Sequence, residues 1–214
     1  MFTMINPDYE EYASKYSSEE TEILKQLNRE THLKIMQPRM LSGHLQGKLL
    51  ELLSCMIKPE RILEIGTYTG YSAIALAQGL TENGILHTID INEELEYIVR
   101  DYIQKSGLEN NIKFHIGDAL QIIPQFDEIF DLVFIDADKD NYINYFNMII
   151  EKVRKGGIII ADNVLWSGKV LNEATKNDFD TINLQRFNKL IKEDNRVENL
   201  LLPFRDGLMI MMKK

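Results

Sequence analysis

Only one cysteine, Cys55, occurs in the 214 residues. An internal disulfide is therefore excluded, and the chain carries no sign of an oxidising compartment. Long apolar runs are also missing. The longest, such as DLVFID and GGIIIAD, are far too short to span a bilayer. The opening segment MFTMINPDYEEYASKY is acidic and has no apolar signal core. Positive charge is in deficit, with 24 Lys and Arg against 33 Asp and Glu and a net charge of −9. That balance opposes nonspecific attraction to phosphate backbones or anionic lipid, although it leaves room for a local basic patch. Together these absences read as a cytoplasmic protein with no membrane attachment.

No repeat, low-complexity tract or linker divides the chain. Hydrophobic residues make up 44% and charged residues 27%, both ordinary for a globular protein. A chain of this length suits one α/β domain over residues 1–214, with residues 1–57 as a helical N-terminal extension. Such a domain buries roughly 70% of its unfolded surface and needs no structural metal or disulfide to fold.

Two helices are expected first. Ser17 and Glu20 form a capping-box pattern for a helix running to about Thr31. A second helix follows Ser42, with Leu45, Leu49, Leu52, Leu53 and Met56 at helical spacing. From Arg61 strand and helix alternate. RILEI, ILHTID, NIKFHIG, DLVFID and GGIIIAD read as strands. YSAIALAQGL, EELEYIVRDYIQKS, the short ALQII and NYINYFNMIIEKVRK read as the helices between them. A helix near Asp178–Lys192 then leads to VENLLLP and GLMIMMK, an antiparallel pair at the sheet edge. The pattern predicts a Rossmann-like α/β fold. Its sheet is seven-stranded and mostly parallel, with an antiparallel C-terminal strand and helices on both faces.

The turn after the first strand reads Glu64-Ile65-Gly66-Thr67-Tyr68-Thr69-Gly70-Tyr71-Ser72. Open α/β sheets bind ligands at the carboxyl ends of their strands, where strand order reverses. Only two glycines are present, so this is not the three-glycine dinucleotide loop, and no phosphate-binding G-x-x-x-x-G-K-[ST] loop occurs elsewhere. Glu64 is unsuited to lie beside a pyrophosphate. It is compatible with a cationic ligand such as the sulfonium and ammonium of S-adenosylmethionine (SAM). A plain tight turn is the competing explanation. Asp90 ends the second strand about 20 residues on, where an acid can accept from ribose hydroxyls. Asp118 ends the third, and its carboxylate or the Ala119 backbone can meet an adenine. Helix capping accounts equally well for Asp118.

A second constellation lies at strands four and five. Asp136 ends the fourth strand in FIDADKDNY, and Asp162-Asn163 end the fifth in ADNVLW. Adjacent parallel strands would bring these three side chains to one edge. Two carboxylates and an amide carbonyl suit a hard divalent cation, Mg²⁺ first and Ca²⁺ or Mn²⁺ as alternatives. The shortage of Cys and His argues against zinc. Asp138 and Asp140 are also explained as caps or surface acids. Lys139 is either an ion-pair partner or a general base for a substrate hydroxyl.

LEIGTYTGYSA, TIDIN, FIDADKDNY and ADNVLW, in this order and spacing, resemble the cation-dependent O-methyltransferases, which include the catechol and caffeoyl-CoA O-methyltransferases. The resemblance runs from about Thr31 to the C-terminus and takes in MLSGHLQG and RDGL. It implies a class I methyltransferase fold and a homodimer that the first helices help to form. It assigns Asp136, Asp162 and Asn163 to the metal and Lys139 to the base position. Ser42, Glu64, Gly66, Thr67, Ser72, Asp90 and Ala119 fall at SAM positions, and Asp136 and Asp138 border the cofactor. LSGHL departs from the plant pattern around Ser42.

The expected reaction moves a methyl group from SAM to a hydroxyl of a small catechol-like or vicinal-diol acceptor beside the cation. The alternative acceptor is a hydroxylated uridine in tRNA. A nicotinamide-dependent oxidoreductase is a remote alternative, as is a cofactor-binding protein without turnover. Trp166 is a candidate wall of the acceptor pocket or an ordinary packing residue. Arg205 and Asp206 are candidate border residues. Arg39 and Lys169 would attract an acidic substrate or are scattered surface charges.

Overall fold

Strand and helix alternate from Arg61 onward because apolar runs of five or six residues, too short for buried helices, are separated by amphipathic or capped segments. A computed structural model describes residues 7–214. The first six residues of the segment read for a signal core, and of the 1–57 extension, lie outside them. The strands are β1 (Arg61–Ile65), β2 (Ile85–Asp90), β3 (Ile112–Ile116), β4 (Phe130–Ile135), β5 (Val153–Ala161), β6 (Val197–Leu202) and β7 (Leu208–Lys213). The helices are α1 (Pro7–Lys15), α2 (Glu22–Lys34), α3 (Gly43–Ile57), α4 (Tyr71–Ala77), α5 (Glu96–Lys105), α6 (Ala119–Ile122), α7 (Tyr142–Ile149) and α8 (Phe179–Glu193).

The seven strands form one sheet in the order β3-β2-β1-β4-β5-β7-β6. β1 pairs parallel with both β2 and β4, and β4 pairs parallel with β5. β7 runs antiparallel to β5 and to β6, as the C-terminal pattern predicts. Strand order reverses between β1 and β4, which puts the ligand-binding crevice at their carboxyl ends. Apolar cores cover both faces. One packs Leu27, Leu50, Ile74 and Tyr102 against Ile62, Leu132 and Phe134. The other packs Phe146, Ile149, Leu184 and Phe187 against Leu63, Val133 and Ile159. Among the described residues no helix is long and apolar enough to cross a membrane.

Three local expectations differ from the structure. The Ser17–Glu20 pattern does not cap a helix. Thr21 caps α2 by accepting from the Leu24 amide, while the Ser17 hydroxyl bonds back to the Ala13 carbonyl and closes the preceding α1. β5 begins at Val153, so residues 153–155 are strand rather than the end of a helix. α7 stops at Ile149 and a 3-10 turn follows. Val153 is buried opposite Phe130, and that pairing outweighs the helical run before it. Finally, α3 turns Gln46, Gly47, Leu50 and Ser54 inward. Leu52 and Met56, from the apolar spacing noted above, are 51% and 70% exposed. Small residues make this possible, since α4 lies so close that a Cβ on Gly47 would collide with the Tyr71 ring.

Candidate active site

A cleft of about 1430 Å³ opens at the carboxyl ends of the central strands. It exceeds the roughly 300–1,000 Å³ of a single small-molecule site, so it has room for two ligands side by side. Ser42, Gly66, Thr67, Ser72, Asp90, Ala119, Asp136, Asp138, Lys139, Asp162 and Asn163 all line it. Glu64 does not. It is wholly buried behind the lining.

The glycine turn forms the cofactor half. Gly66 sits at φ +100°, and a Cβ there would collide with the carbonyl of Asp136 on the neighbouring strand. Only glycine lets the turn pass this close. Asp90 braces the turn, its Oδ2 accepting from the Tyr68 amide at 2.7 Å and its Oδ1 from the Asn92 amide at 2.9 Å. Asp118 caps α6 through the Leu120 amide, so the capping explanation holds for it. Thr88 donates to Glu64 Oε2 at 2.5 Å, which leaves Thr67 as the donor in its 2.5 Å contact with Thr88. Glu64 Oε1 is buried with no partner. Burial pushes the Glu64 carboxyl up to about 8 despite the Thr88 hydrogen bond. A buried acid in need of positive charge, under a turn open to close approach, fits a cationic nucleoside such as SAM.

The other half is built from β4 and β5. Ile135 pairs with Ala161, so Asp136 and Asp162 leave the sheet next to each other. Burial, reinforced by the Asp136 charge, pushes the Asp162 carboxyl up to about 7. Asn163 follows at φ +58° and donates its amide to Asp162 Oδ1 at 2.6 Å. Among the described residues no three His, Cys, Asp or Glu side chains converge on one point. A cation here would need the Asn163 amide oxygen as its third protein ligand. One buried and one half-buried carboxylate with a neighbouring amide oxygen fit such an ion.

Lys139 is buried. Its Nζ donates to Asp136 Oδ1 at 3.2 Å and to the Tyr142 hydroxyl at 2.7 Å, and lies 5.9 Å from the Trp166 ring centroid. Tyr142 donates in turn to the Asp162 carbonyl at 3.0 Å. Asp138 accepts from Tyr145 and from the Asn141 amide, each at 2.5 Å. Trp166, Ser167 and Gly168 all have positive φ. The turn between β6 and β7 holds this loop in place. Asp206 accepts from the Ser167 amide through its carboxylate and from Leu165 through its carbonyl.

The sequence patterns did not single out Gln46, Tyr142 or Tyr145 for roles at this site. Gln46 donates to Asp162 across 116 positions, and no local spacing marks such a contact. Tyr142 lay inside the quoted FIDADKDNY motif. A phenol three residues after a site lysine at the start of a helix is the signal that would have found it.

Residues 14–214 match the family model described as O-methyltransferase. The caffeoyl-CoA O-methyltransferase 2 of Populus trichocarpa is 38% identical over 200 residues, covering 88% of this chain and 81% of its own. The caffeoyl-CoA O-methyltransferase of Stellaria longipes is 35% identical over 199 residues, covering 88% and 82%. Among solved structures, the Bacillus cereus O-methyltransferase in complex with SAH superposes with a TM-score of 0.89 at 31% identity, covering 97% of both chains. A Streptomyces achromogenes O-methyltransferase involved in tomaymycin synthesis, in complex with SAM, gives 0.89 at 29% identity, covering 97% and 96%.

Proposed function

The chain belongs to the O-methyltransferase family, and from that premise we propose that it methylates one of two adjacent oxygens on a small acceptor held beside a divalent cation. SAM is the methyl donor, and family membership sets the nicotinamide alternative aside. The observation that carries the metal reading is the emergence of Asp136 and Asp162 side by side, with Asn163 next to them, in the same cleft as the glycine turn.

Methyl transfer is an in-line displacement in which a C–O bond forms as a C–S bond breaks. SAM supplies a methyl already activated on a positive sulfur, and a cation held by Asp136, Asp162 and Asn163 would lower the pKa of the acceptor hydroxyl. The chain's own residues do the rest. Lys139 Nζ is fixed by its two acceptors, Asp136 and Tyr142, beside the acids of the cation site, which is where a base for the hydroxyl proton is needed. The Tyr142 proton is directed at the Asp162 carbonyl, so its oxygen is free to accept from Lys139. Trp166 lines the cleft beside Nζ and offers an aromatic wall to the acceptor. Alignment of two reactants in such a cleft is worth roughly 7–11 kcal/mol.

Charge favours a small acceptor over tRNA. Nine carboxylates line the cleft against five cationic side chains. Arg205 is committed to Gln46 and backbone carbonyls, Lys169 to Asp178, Lys34 to Glu30 and Lys139 to Asp136. Among the described residues only Arg39 of the five has no such partner. A polyanionic strand would find little to bind.

A homodimer joined through the first helices is part of this reading. Tyr9, Tyr12, Tyr16, Leu52 and Met56 present exposed apolar surface on or beside α1 and α3. The function is tested by methyl transfer from SAM to a catechol and to bulk tRNA, each with Mg²⁺ and with EDTA. Mg²⁺-dependent methylation of the catechol alone is expected. Transfer undiminished by EDTA would refute the metal reading, and transfer to tRNA alone would refute the small acceptor.

A further inference from the structure

We propose that Gln46, on the N-terminal helix α3, is a positioning residue that sets the Asp162 carboxylate for its cation and is itself aimed by Arg205. The inference rests on the reading of Asp162 as a metal ligand.

Gln46 is 1% exposed and lies between two charged groups. Its Nε2 donates to Asp162 Oδ2 at 2.5 Å, and its Oε1 accepts from Arg205 Nη1 at 2.7 Å. This relay has only one polarity. A guanidinium has donors alone, so the Gln46 atom facing Arg205 must be the carbonyl oxygen. The amide nitrogen is thereby turned to the carboxylate, which as an anion only accepts. Arg205 is fixed in its turn by the backbone carbonyls of Leu41 and Ser42 at the start of α3, the second of them also reached by Nη1. Arg205 has φ +50° in the turn between β6 and β7, the turn that also holds the Trp166 loop.

The effect on Asp162 is orientation. Asn163 N–H occupies one position on Oδ1 and Gln46 occupies one on Oδ2. The carboxylate can no longer rotate, and each oxygen keeps a lone pair for a ligand. A cation then binds without first having to reorganise this side chain. Groups that orient a metal ligand from behind typically change metal affinity by about 10–100-fold when removed.

The test is Mn²⁺ binding followed by the electron paramagnetic resonance of free Mn²⁺, using the full-length protein. Gln46→Met keeps length and removes both polar groups. It should weaken Mn²⁺ by about 10–100-fold while S-adenosylhomocysteine affinity stays near wild type. In turnover assays the Mn²⁺ concentration for half-maximal rate should rise, and kcat at saturating Mn²⁺ should largely recover. A residue that merely filled the core would change thermal stability without this split. Arg205→Lys keeps the charge and loses the fork that aims Gln46, so it should weaken Mn²⁺ in the same direction and decides the matter alone if Gln46→Met does not fold. Adding Arg205→Lys to Gln46→Met should cost little more, because the two act in series.

Wild-type Mn²⁺ affinity in a folded Gln46→Met, or in Arg205→Lys, would overturn the proposal. Asp162→Ala separates this from the reading beneath it. If that variant binds Mn²⁺ like wild type, the metal site itself is misassigned. If it loses Mn²⁺ while Gln46→Met does not, only the positioning role fails.

Discussion

The Asp162 amide donates to the Ile135 carbonyl at 2.9 Å. That bond continues the β4–β5 ladder one step past its last pair and delivers the Asp162 side chain to the level of Asp136. Two acids that the sequence separates by 26 positions thus share one corner of the cleft, and the proposed chemistry follows from their proximity.

Removing either acid should abolish metal-stimulated turnover without emptying the cofactor half. Asp136→Ala and Asp162→Ala are expected to lower kcat at saturating Mg²⁺ by about 100-fold or more, beyond the usual cost of losing a supporting group. S-adenosylhomocysteine should still bind Asp162→Ala within a few-fold of wild type by calorimetry. Full Mg²⁺-stimulated turnover in both variants would remove them from the site.

Metal affinity should rise with pH. Burial and Asp136 push the Asp162 carboxyl up to about 7, so below neutrality a cation must displace a proton. Affinity should fall by up to about tenfold per pH unit below 7 and level off above it. A flat Mn²⁺ affinity between pH 5.5 and 8 would contradict this.

The ligand-free protein should lose stability as pH rises. Glu64 and Asp162 have folded-state values of about 8 and about 7, above their ordinary 4.5 and 3.8. Between about pH 4 and 8 the folded chain therefore holds protons that the unfolded chain has released, and the sign of the linkage makes stability fall across that window. Cofactor and Mg²⁺ should flatten the profile by stabilising the ionised acids. Thermal melts from pH 5 to 8 with and without both ligands measure it, and identical pH slopes in the two series would argue against these buried acids.

Lys139→Ala should lower kcat with little change in cofactor affinity, and rising pH should partly restore the rate as the acceptor hydroxyl ionises unaided. General bases typically contribute about 10²–10⁴-fold. Wild-type rates across the pH range would exclude Lys139 from proton transfer.

Gly66→Ala combines a left-handed φ with a collision against the Asp136 carbonyl. The strain should cost about 1–3 kcal/mol in urea unfolding and weaken S-adenosylhomocysteine binding. A neutral effect on both would mean that the turn has room to move.

The sheet was legible because each strand from RILEI to GGIIIAD is a short segment rich in apolar and β-branched residues between turn signals, and the central DLVFID and GGIIIAD are the apolar runs that parallel strands buried on both faces require. The glycine turn and the two acidic motifs were legible because their residues are neighbours in sequence. Four features escaped for physical reasons. Val153 joins a strand through pairing with Phe130, a tertiary preference that local periodicity does not carry. Ser17 and Thr21 are both capable caps, and only the backbone path selects Thr21. Glu64 lies on a buried strand whose alternation does not reveal whether its carboxylate faces the cleft or lies beneath it. Gln46 reaches Asp162 and Arg205 reaches Gln46, residues drawn from opposite ends of the chain, so nothing local to any of them announces the relay.

Anomalous diffraction from a crystal grown with Mn²⁺ and S-adenosylhomocysteine tests the central claim most directly. The account predicts a peak bonded to oxygens of Asp136, Asp162 and Asn163, with open positions facing the acceptor side of the cleft. A well-ordered cofactor complex with no peak at those three side chains, or a peak held by other residues, would contradict it.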